Sequence, residues 1–390
     1  MHSAQGAEGR GRGSGEGSRA PQVQAGAGVL WGRQLAARGR ARGRRLLDEL
    51  ERAAKVPTGE CVQLLHAAFD SLKERSAAVG LDSVLRGDAE DGEEIAGPGE
   101  AFTEELGRIG AITQEGYQGD GVLVEGFAAW CNTFLPSWEP LRRADGAEWK
   151  LAEVMSYELF ESALARIAKR KAAGANRVTL DALVQAPEWV RRGVHEGLAE
   201  FATSGVFPPK WNLVIYVLLA KPRGDQRLVC KRRDIALLAQ DLKLLCRMLK
   251  MESYDRMAGR IDPAQDGFCA GHSSVDPGQK AVLIAQMAKA LGKPLYFLYI
   301  DLATFFPKCD RSVTYFAEVR HGLPQEVADL VALLFLEKEG KFDSAHGLGD
   351  EFKMHMGLLQ GCVLSPSRAK LLLNTLVVAI RAHVRGFRLH

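Results

Sequence analysis

The chain has 390 residues, 46% hydrophobic and 25% charged, with a net charge of +3; this globular balance excludes collagen, coiled coil and a wholly disordered chain. No apolar run reaches the roughly 18 residues that a membrane span needs, and no apolar core of a secretory signal follows Met1. Seven widely spaced cysteines (61, 131, 230, 246, 269, 309 and 362) suit neither a zinc knuckle nor a disulfide framework, so a reducing intracellular setting, nucleus or cytoplasm, is expected.

Residues 1–45 hold nine Arg against two Glu among many Gly and Ala. Such a segment cannot bury enough apolar surface to offset the entropy of ordering, and disorder is expected. A nucleic-acid-binding arm, an organelle-targeting peptide and a low-complexity leader all stay open. Residues 46–147 read as a helical lead-in. Leu46, Leu47 and Leu50 are followed by Val62, Leu64, Leu65 and Phe69. An acidic linker is expected over 82–107, because 88–105 carries eight Asp or Glu and no Lys or Arg. The main boundary falls between 110 and 148.

From Trp149 onward the pattern tightens. Helices are expected over 149–170 and 187–204. Asn212–Ala220 is short, apolar and β-branched, and predicts a strand whose hairpin partner is Gln226–Cys230. Helices follow over 238–257 and 278–291, the second opening after Asp276-Pro277. Leu295–Asp301 predicts a buried strand ending in a carboxylate. Helices over 310–320 and 325–337, a hairpin over 340–357 and a helix over 366–384 complete an α+β unit spanning 148–390.

Three places carry candidate chemistry. Asp301 stands at the C-terminal edge of the predicted strand, where ligands bind in open α/β layers. It reads as a cation ligand or as a helix cap, and Phe305 and Phe306 read as core aromatics. Gly357–Pro366 (GLLQGCVLSP) predicts a tight turn leading into a helix, able to approach a flat ligand closely. The hairpin carries Lys221, Arg223, Arg227, Lys231, Arg232 and Arg233, which suit phosphates. From Arg166 to Arg260 there are 19 Lys or Arg against nine Asp or Glu, a footprint for a polyanion.

In this order the segments resemble the reverse transcriptase domain of non-long-terminal-repeat retroelements and, more distantly, of group II introns. KAAGANRVTLDAL (171–183), FPPKWNLVIYVLLAKP (207–222), RRDIALL (232–238), QDGFCAGHSSVD (265–276), LYFLYIDLATFF (295–306) and GLLQGCVLSP (357–366) are each similar to a family motif. The resemblance covers about three-fifths of the chain, residues 150–390. It implies polymerase fingers and a partial palm, with RNA-templated DNA synthesis as the family activity.

The resemblance also implies roles. Asp301 matches the carboxylate that binds catalytic Mg²⁺. Phe306 matches the aromatic that screens the sugar 2′-position; Phe305 faces the other way if the strand extends through it. Lys221 and Arg233 match residues that grip an incoming deoxynucleoside triphosphate, with Arg232 as a one-residue alternative. Gln360 and Gly361 match the turn beside the nascent base pair. RNA template and DNA primer are the implied partners, with no membrane. Asp234, Phe305, Pro307 and Val363 depart from the usual pattern. The family's Tyr-x-Asp-Asp motif is not found between Asp301 and His390, and the thumb is missing too. The chain alone is therefore expected to be inactive, and a catalytically inactive nucleic-acid-binding relic is the rival expectation.

Overall fold

The computed structural model describes residues 81–386, apart from 82, 88–90, 97–98, 115–120, 168–171, 222–223, 303 and 385. The expected disorder over 1–45 and the expected helix over 46–80 lie outside the described residues.

Two short strands open the described chain, β1 (Ser83–Leu85) and β2 (Glu94–Ala96), paired antiparallel. Helix α1 (Glu100–Gln114) follows. This corrects the expectation of a linker through 107. Phe102, Leu106 and Ile109 recur at the spacing of one helix face, and all three are buried in the main core. The acidic side chains are compatible with this because most of them point outward. The buried one, Glu105, takes hydrogen bonds from Arg108 and from the Gly87 backbone N–H at 2.8 Å. Helix α2 (Gly121–Phe134) comes next.

The expected helix over 149–170 is two helices, α3 (Leu151–Val154) and α4 (Tyr157–Ala165). Ser156 breaks them apart by capping α4, its hydroxyl accepting from Leu159 N–H at 3.1 Å. Helices α5 (Leu180–Val184) and α6 (Glu188–Ser204) follow, the latter ending at Gly205 with φ +69°.

Strand β3 (Leu213–Ala220) falls where its apolar run predicts. Its hairpin partner is β4 (Arg232–Leu237), not Gln226–Cys230. Asp225 accounts for the shift. Its carboxylate accepts from the Arg227 N–H at 2.9 Å and from the Arg227 guanidinium, curling the chain into a turn; a 3-10 turn over Val229–Lys231 then delays pairing.

Helix α7 (Gln240–Leu249) continues through a π turn to Tyr254 and a 3-10 turn to Arg260. Helix α8 (Val275–Ala290) starts at Ser274, so Pro277 lies inside its first turns. The predicted strand Leu295–Asp301 is absent: residues 293–302 have no regular structure, and Tyr296, Leu298 and Tyr299 are 84–90% exposed. A strand buries its residues only by pairing and packing one face, and no described strand pairs with this segment.

Four helices and three strands complete the described residues. These are α9 (Phe305–Lys308), α10 (Arg311–Arg320), α11 (Gln325–Leu336), strands β5 (Lys338–Ser344), β6 (Gly347–Leu348) and β7 (Phe352–Met354), and α12 (Ser365–His383). Phe305 and Phe306 are therefore in a helical turn, and the alternation expected of a strand does not apply to them.

Among the described residues the main sheet has five strands, ordered β4-β3-β5-β6 with β7 also on β5. β3 pairs antiparallel with β4 and parallel with β5. Helix α1 lies against β5 and β7, so residues from 81 onward share one core with the rest. Trp211 anchors that core. Its indole donates to Asp241 at 3.0 Å, and the other oxygen of Asp241 accepts from buried Asn176 at 2.9 Å. Mixed helix and sheet is the observed class.

Candidate functional site

The β3–β4 hairpin positions the basic residues. Ala220 pairs with Arg232 and Leu219 with Arg233, so the two arginines stand on opposite faces. Arg232 is turned inward, donating from Nε to the Gln226 carbonyl at 2.6 Å and from Nη1 to the Leu218 carbonyl at 3.3 Å. Arg233 is exposed and has no side-chain partner among the described residues. This separates the two registers chemically: Arg232 holds the hairpin together, while Arg233 is available to a ligand. Lys221, just past β3, donates from Nζ to the Cys230 carbonyl at 2.9 Å. Burial pushes the Asp234 carboxyl up, and the charge of Lys221 pulls it back.

The Gly357–Cys362 turn docks against this hairpin through backbone. Ala236 N–H donates to the Gln360 carbonyl at 2.6 Å. Gly361 has φ +117°, and a Cβ there would run into the Ala236 carbonyl. Gly357 has φ +92°, and a Cβ would meet the Pro307 carbonyl oxygen at 2.6 Å. Its N–H donates to Cys309 at 2.9 Å, and Leu358 N–H donates to the Phe306 carbonyl at 2.7 Å. Three of the predicted residues, Phe306, Gln360 and Gly361, thus belong to one framework with β4. The Phe306 ring is half-buried, edge-on to Phe268 at 5.9 Å and to Phe305 at 5.7 Å.

Beneath the turn lies a set of buried cations. Arg311 donates to the carbonyls of Met356 at 3.1 Å and Leu336 at 3.2 Å, and burial pushes its pKa down to about 10. Lys338 donates to the Trp211 carbonyl at 2.8 Å, and burial pushes it down to about 8. Arg368 faces Glu318 at 2.7 Å, and Tyr254 donates to the same carboxylate at 2.9 Å. Burial opposes the charge of Arg368, yet Glu318 holds its pKa above the ordinary value.

Asp301 is not brought into this framework. It is exposed, at the end of the irregular segment and before Thr304, whose φ is +51°. Among the described residues no three His, Cys, Asp or Glu side chains gather as a metal site. Mg²⁺ wants one or two protein carboxylates plus phosphate and water, and a two-ion centre needs more than one. One exposed carboxylate does not meet the need of a two-ion centre.

The local positive excess is partly answered inside the fold. Arg191 pairs with Glu161 at 2.7 Å, Arg192 with Glu188 at 2.7 Å, and Arg227 with both Asp225 and Glu94 at 2.6 Å. Lys250 pairs with Asp255. Among the described residues, exposed cations of this stretch without an ion pair include Arg166 and, at the start of β4, Lys231 and Arg233.

No protein-family model and no curated protein matches the chain. The framework therefore rests on its own geometry. Sequence reasoning missed Arg311, Lys338, Glu318 and Arg368, which hold the turn from below. They are scattered over α10, β5 and α12 and share no motif. No local signal marks them: Arg368 stands in the polar run Ser365–Lys370, where a charge is ordinary.

Proposed function

We propose that this chain carries the fingers and a partial palm of a reverse transcriptase-like polymerase, and that it grips an RNA template with a DNA primer without extending the primer unaided. One observation carries the reading. The Ala236–Gln360 and Leu358–Phe306 backbone bonds join a basic hairpin, a ligand-facing turn and an aromatic into one rigid frame. Arg233 supplies a free guanidinium for phosphate, and Lys221 a second cation nearby in sequence on the hairpin. Gly361 leaves backbone uncovered where a flat base pair would approach. Phe306 offers its ring to a sugar, and deoxynucleoside triphosphates are the nucleotides it would accept. Asp301 is the proposed Mg²⁺ ligand, and a single exposed carboxylate falls short of the two-ion centre that primer extension needs, which is why no unaided extension is expected.

Binding and extension are tested together. Fluorescence anisotropy with a labelled RNA–DNA primer–template should show binding that weakens by about 0.7–0.9 log units per log unit of salt for each phosphate neutralised. Binding independent of salt, or no binding at low salt, defeats the proposal. In the same mixtures with Mg²⁺ and deoxynucleoside triphosphates, no primer extension is expected. Extension lost in Asp301→Ala would show an active polymerase instead.

The exposure of Asp301, outside the turn framework, favours a second reading, a nucleic-acid-binding relic that does not use nucleotides. It predicts the same salt-dependent binding, unchanged by added deoxynucleoside triphosphate. The polymerase reading predicts that added nucleotide tightens binding of the primer–template.

A further inference from the structure

Four segments far apart in the chain enclose a pocket of about 210 Å³ that shares no residue with the turn framework. Trp138 reaches it from the stretch after α2, Arg260 and Asp262 from the 3-10 turn and the residues behind it, His321 from the end of α10, and Asn374 and Val378 from α12. The floor is polar and closed. His321 is 2% exposed and Asn374 1%. His321 Nδ1 lies 2.7 Å from the Ala317 carbonyl and therefore carries the proton, which leaves Nε2 to accept from the Asn374 amide at 3.0 Å. Asn374 also donates to the Arg260 carbonyl at 3.4 Å, and its own oxygen accepts from the Asp262 N–H at 2.8 Å. Both side chains use their hydrogen bonds within the fold, so they shape the pocket and leave recognition to its walls.

The walls are open to a ligand. Arg260 is fixed by Nη1, which donates to the His321 carbonyl at 2.7 Å and the Gly322 carbonyl at 3.2 Å, and its guanidinium lies 5.6 Å from the centre of the Trp138 ring. Gly322 has φ +82°, and a Cβ there would run into this guanidinium. Nε and Nη2 of Arg260 make no hydrogen bond among the described residues. Asp262 Oδ1 accepts from the Ala264 N–H at 2.8 Å and faces Arg381 at 2.9 Å, while Oδ2 takes no hydrogen bond among the described residues. Trp138 is 39% exposed, so part of its indole is open.

We propose that this pocket takes one unpaired nucleobase, flat against the Trp138 indole, with its polar edge toward Asp262 and Arg260. The volume is below the roughly 300–1,000 Å³ of pockets for drug-sized ligands, so it suits one flat heterocycle and leaves the sugar and phosphate outside. A nucleobase presents an N–H donor beside a carbonyl or ring-nitrogen acceptor. The donor fits Asp262 Oδ2, and the acceptor fits the open N–H groups of Arg260. A purely apolar ring would cover both groups without pairing them, which costs free energy. Arg381 is 60% exposed beside Asp262, where the phosphate attached to the base can meet it. Stacking supplies most of the affinity and tolerates any base. The site stands on its own geometry and does not rest on the polymerase reading.

The test uses the full chain and ligand-observed saturation-transfer NMR with each of the four ribonucleoside monophosphates. Transfer should be strongest to base protons, saturate in the millimolar range and be absent for ribose 5-phosphate. Trp138→Leu, which removes the stacking ring, should weaken binding about tenfold. Val378→Phe, which fills the pocket from α12, should abolish it. On the wild-type chain, 8-azidoadenosine monophosphate should crosslink to the peptides holding Trp138 or residues 260–263, so the outcome does not hang on either variant folding. A single-stranded tetranucleotide that binds more tightly than the monophosphate, with the same dependence on Trp138, assigns the base to a nucleic-acid strand; equal affinities assign it to a free nucleotide. The proposal is overturned by no transfer to any base, by equal transfer to ribose 5-phosphate, by unchanged affinity in a Val378→Phe chain that melts like the wild type, or by crosslinks that fall only elsewhere.

Discussion

Arg368 on α12 holds Glu318 on α10 through two hydrogen bonds, at 2.7 Å and 3.2 Å, with the side chains 4% and 0% exposed. The pair clamps the helix that starts from the candidate turn onto the helix that carries Arg311. Tyr254 closes the group from a third element. Removing one partner leaves the other charge buried and unpaired. Glu318→Gln or Arg368→Met is expected to cost about 3–5 kcal/mol in urea unfolding. Replacing both together with apolar residues of similar volume should recover most of that loss. If the double variant is no better than either single one, the clamp does more than balance two charges.

Lys338 gives the fold a pH dependence. Its pKa is about 8 in the fold against an ordinary value of 10.5. Between these values the unfolded chain binds the proton more strongly, so stability rises with pH across that window. Below about pH 8 the fold carries the whole penalty of a buried ammonium. The rise attributable to Lys338 is about 3 kcal/mol at most. Lys338→Met should flatten the stability curve between pH 8 and 10.5 relative to the wild-type chain. Parallel curves would show that Lys338 titrates normally.

Gly361→Ala meets two obstacles, a φ of +117° and the Ala236 carbonyl. It is expected to destabilise by about 1–3 kcal/mol and to weaken primer–template binding. Gly259→Ala is the control. It has no atom within 4 Å of the added methyl and no positive φ, so stability should hold or gain about 0.4–1 kcal/mol.

The two hairpin arginines should separate in their effects. Arg232→Ala frees the Gln226 and Leu218 carbonyls and is expected to lower the melting temperature. Arg233→Ala should leave the melting temperature unchanged and shallow the salt slope of binding by about one phosphate. The opposite pattern would reverse their roles.

The exposed stretch from Leu295 to Leu302 is a hazard in solution. Tyr296, Phe297, Leu298, Tyr299 and Ile300 are 46–90% exposed, with one charge, Asp301, at the end. Leu298→Lys with Ile300→Lys should reduce light scattering at high protein concentration without lowering the melting temperature. Lost stability instead would show that the stretch is packed.

Most helices and β3 were legible in the sequence because their signals are local. The apolar run of β3 and the apolar spacing in α6 and α11 need no distant partner. Two strand expectations failed, one for want of a distant partner and one to a local turn. Leu295–Asp301 has strand chemistry but no described strand beside it. Gln226–Cys230 lost its place in the hairpin to a turn made by Asp225 and Arg227. Of the candidate site, the positive-φ glycines announced the turn. The ions beneath it were invisible, since Glu318 and Arg368 meet only after α10 and α12 have packed, and Lys338 joins them only around the Phe335 ring.

The parallel pairing of β3 with β5 sets a timetable for the growing chain. Leu213 lies opposite Glu339, and Val217 opposite Asp343. At about 5–20 residues per second, a ribosome takes about 6–25 s to travel from one partner to the other. The β3–β4 hairpin closes within microseconds of its own synthesis. It must then wait, with the second edge of β3 open, while the intervening helices emerge. Strand β3 is thus the first strand of this sheet to be made, and its second edge stays open to mispairing until β5 emerges.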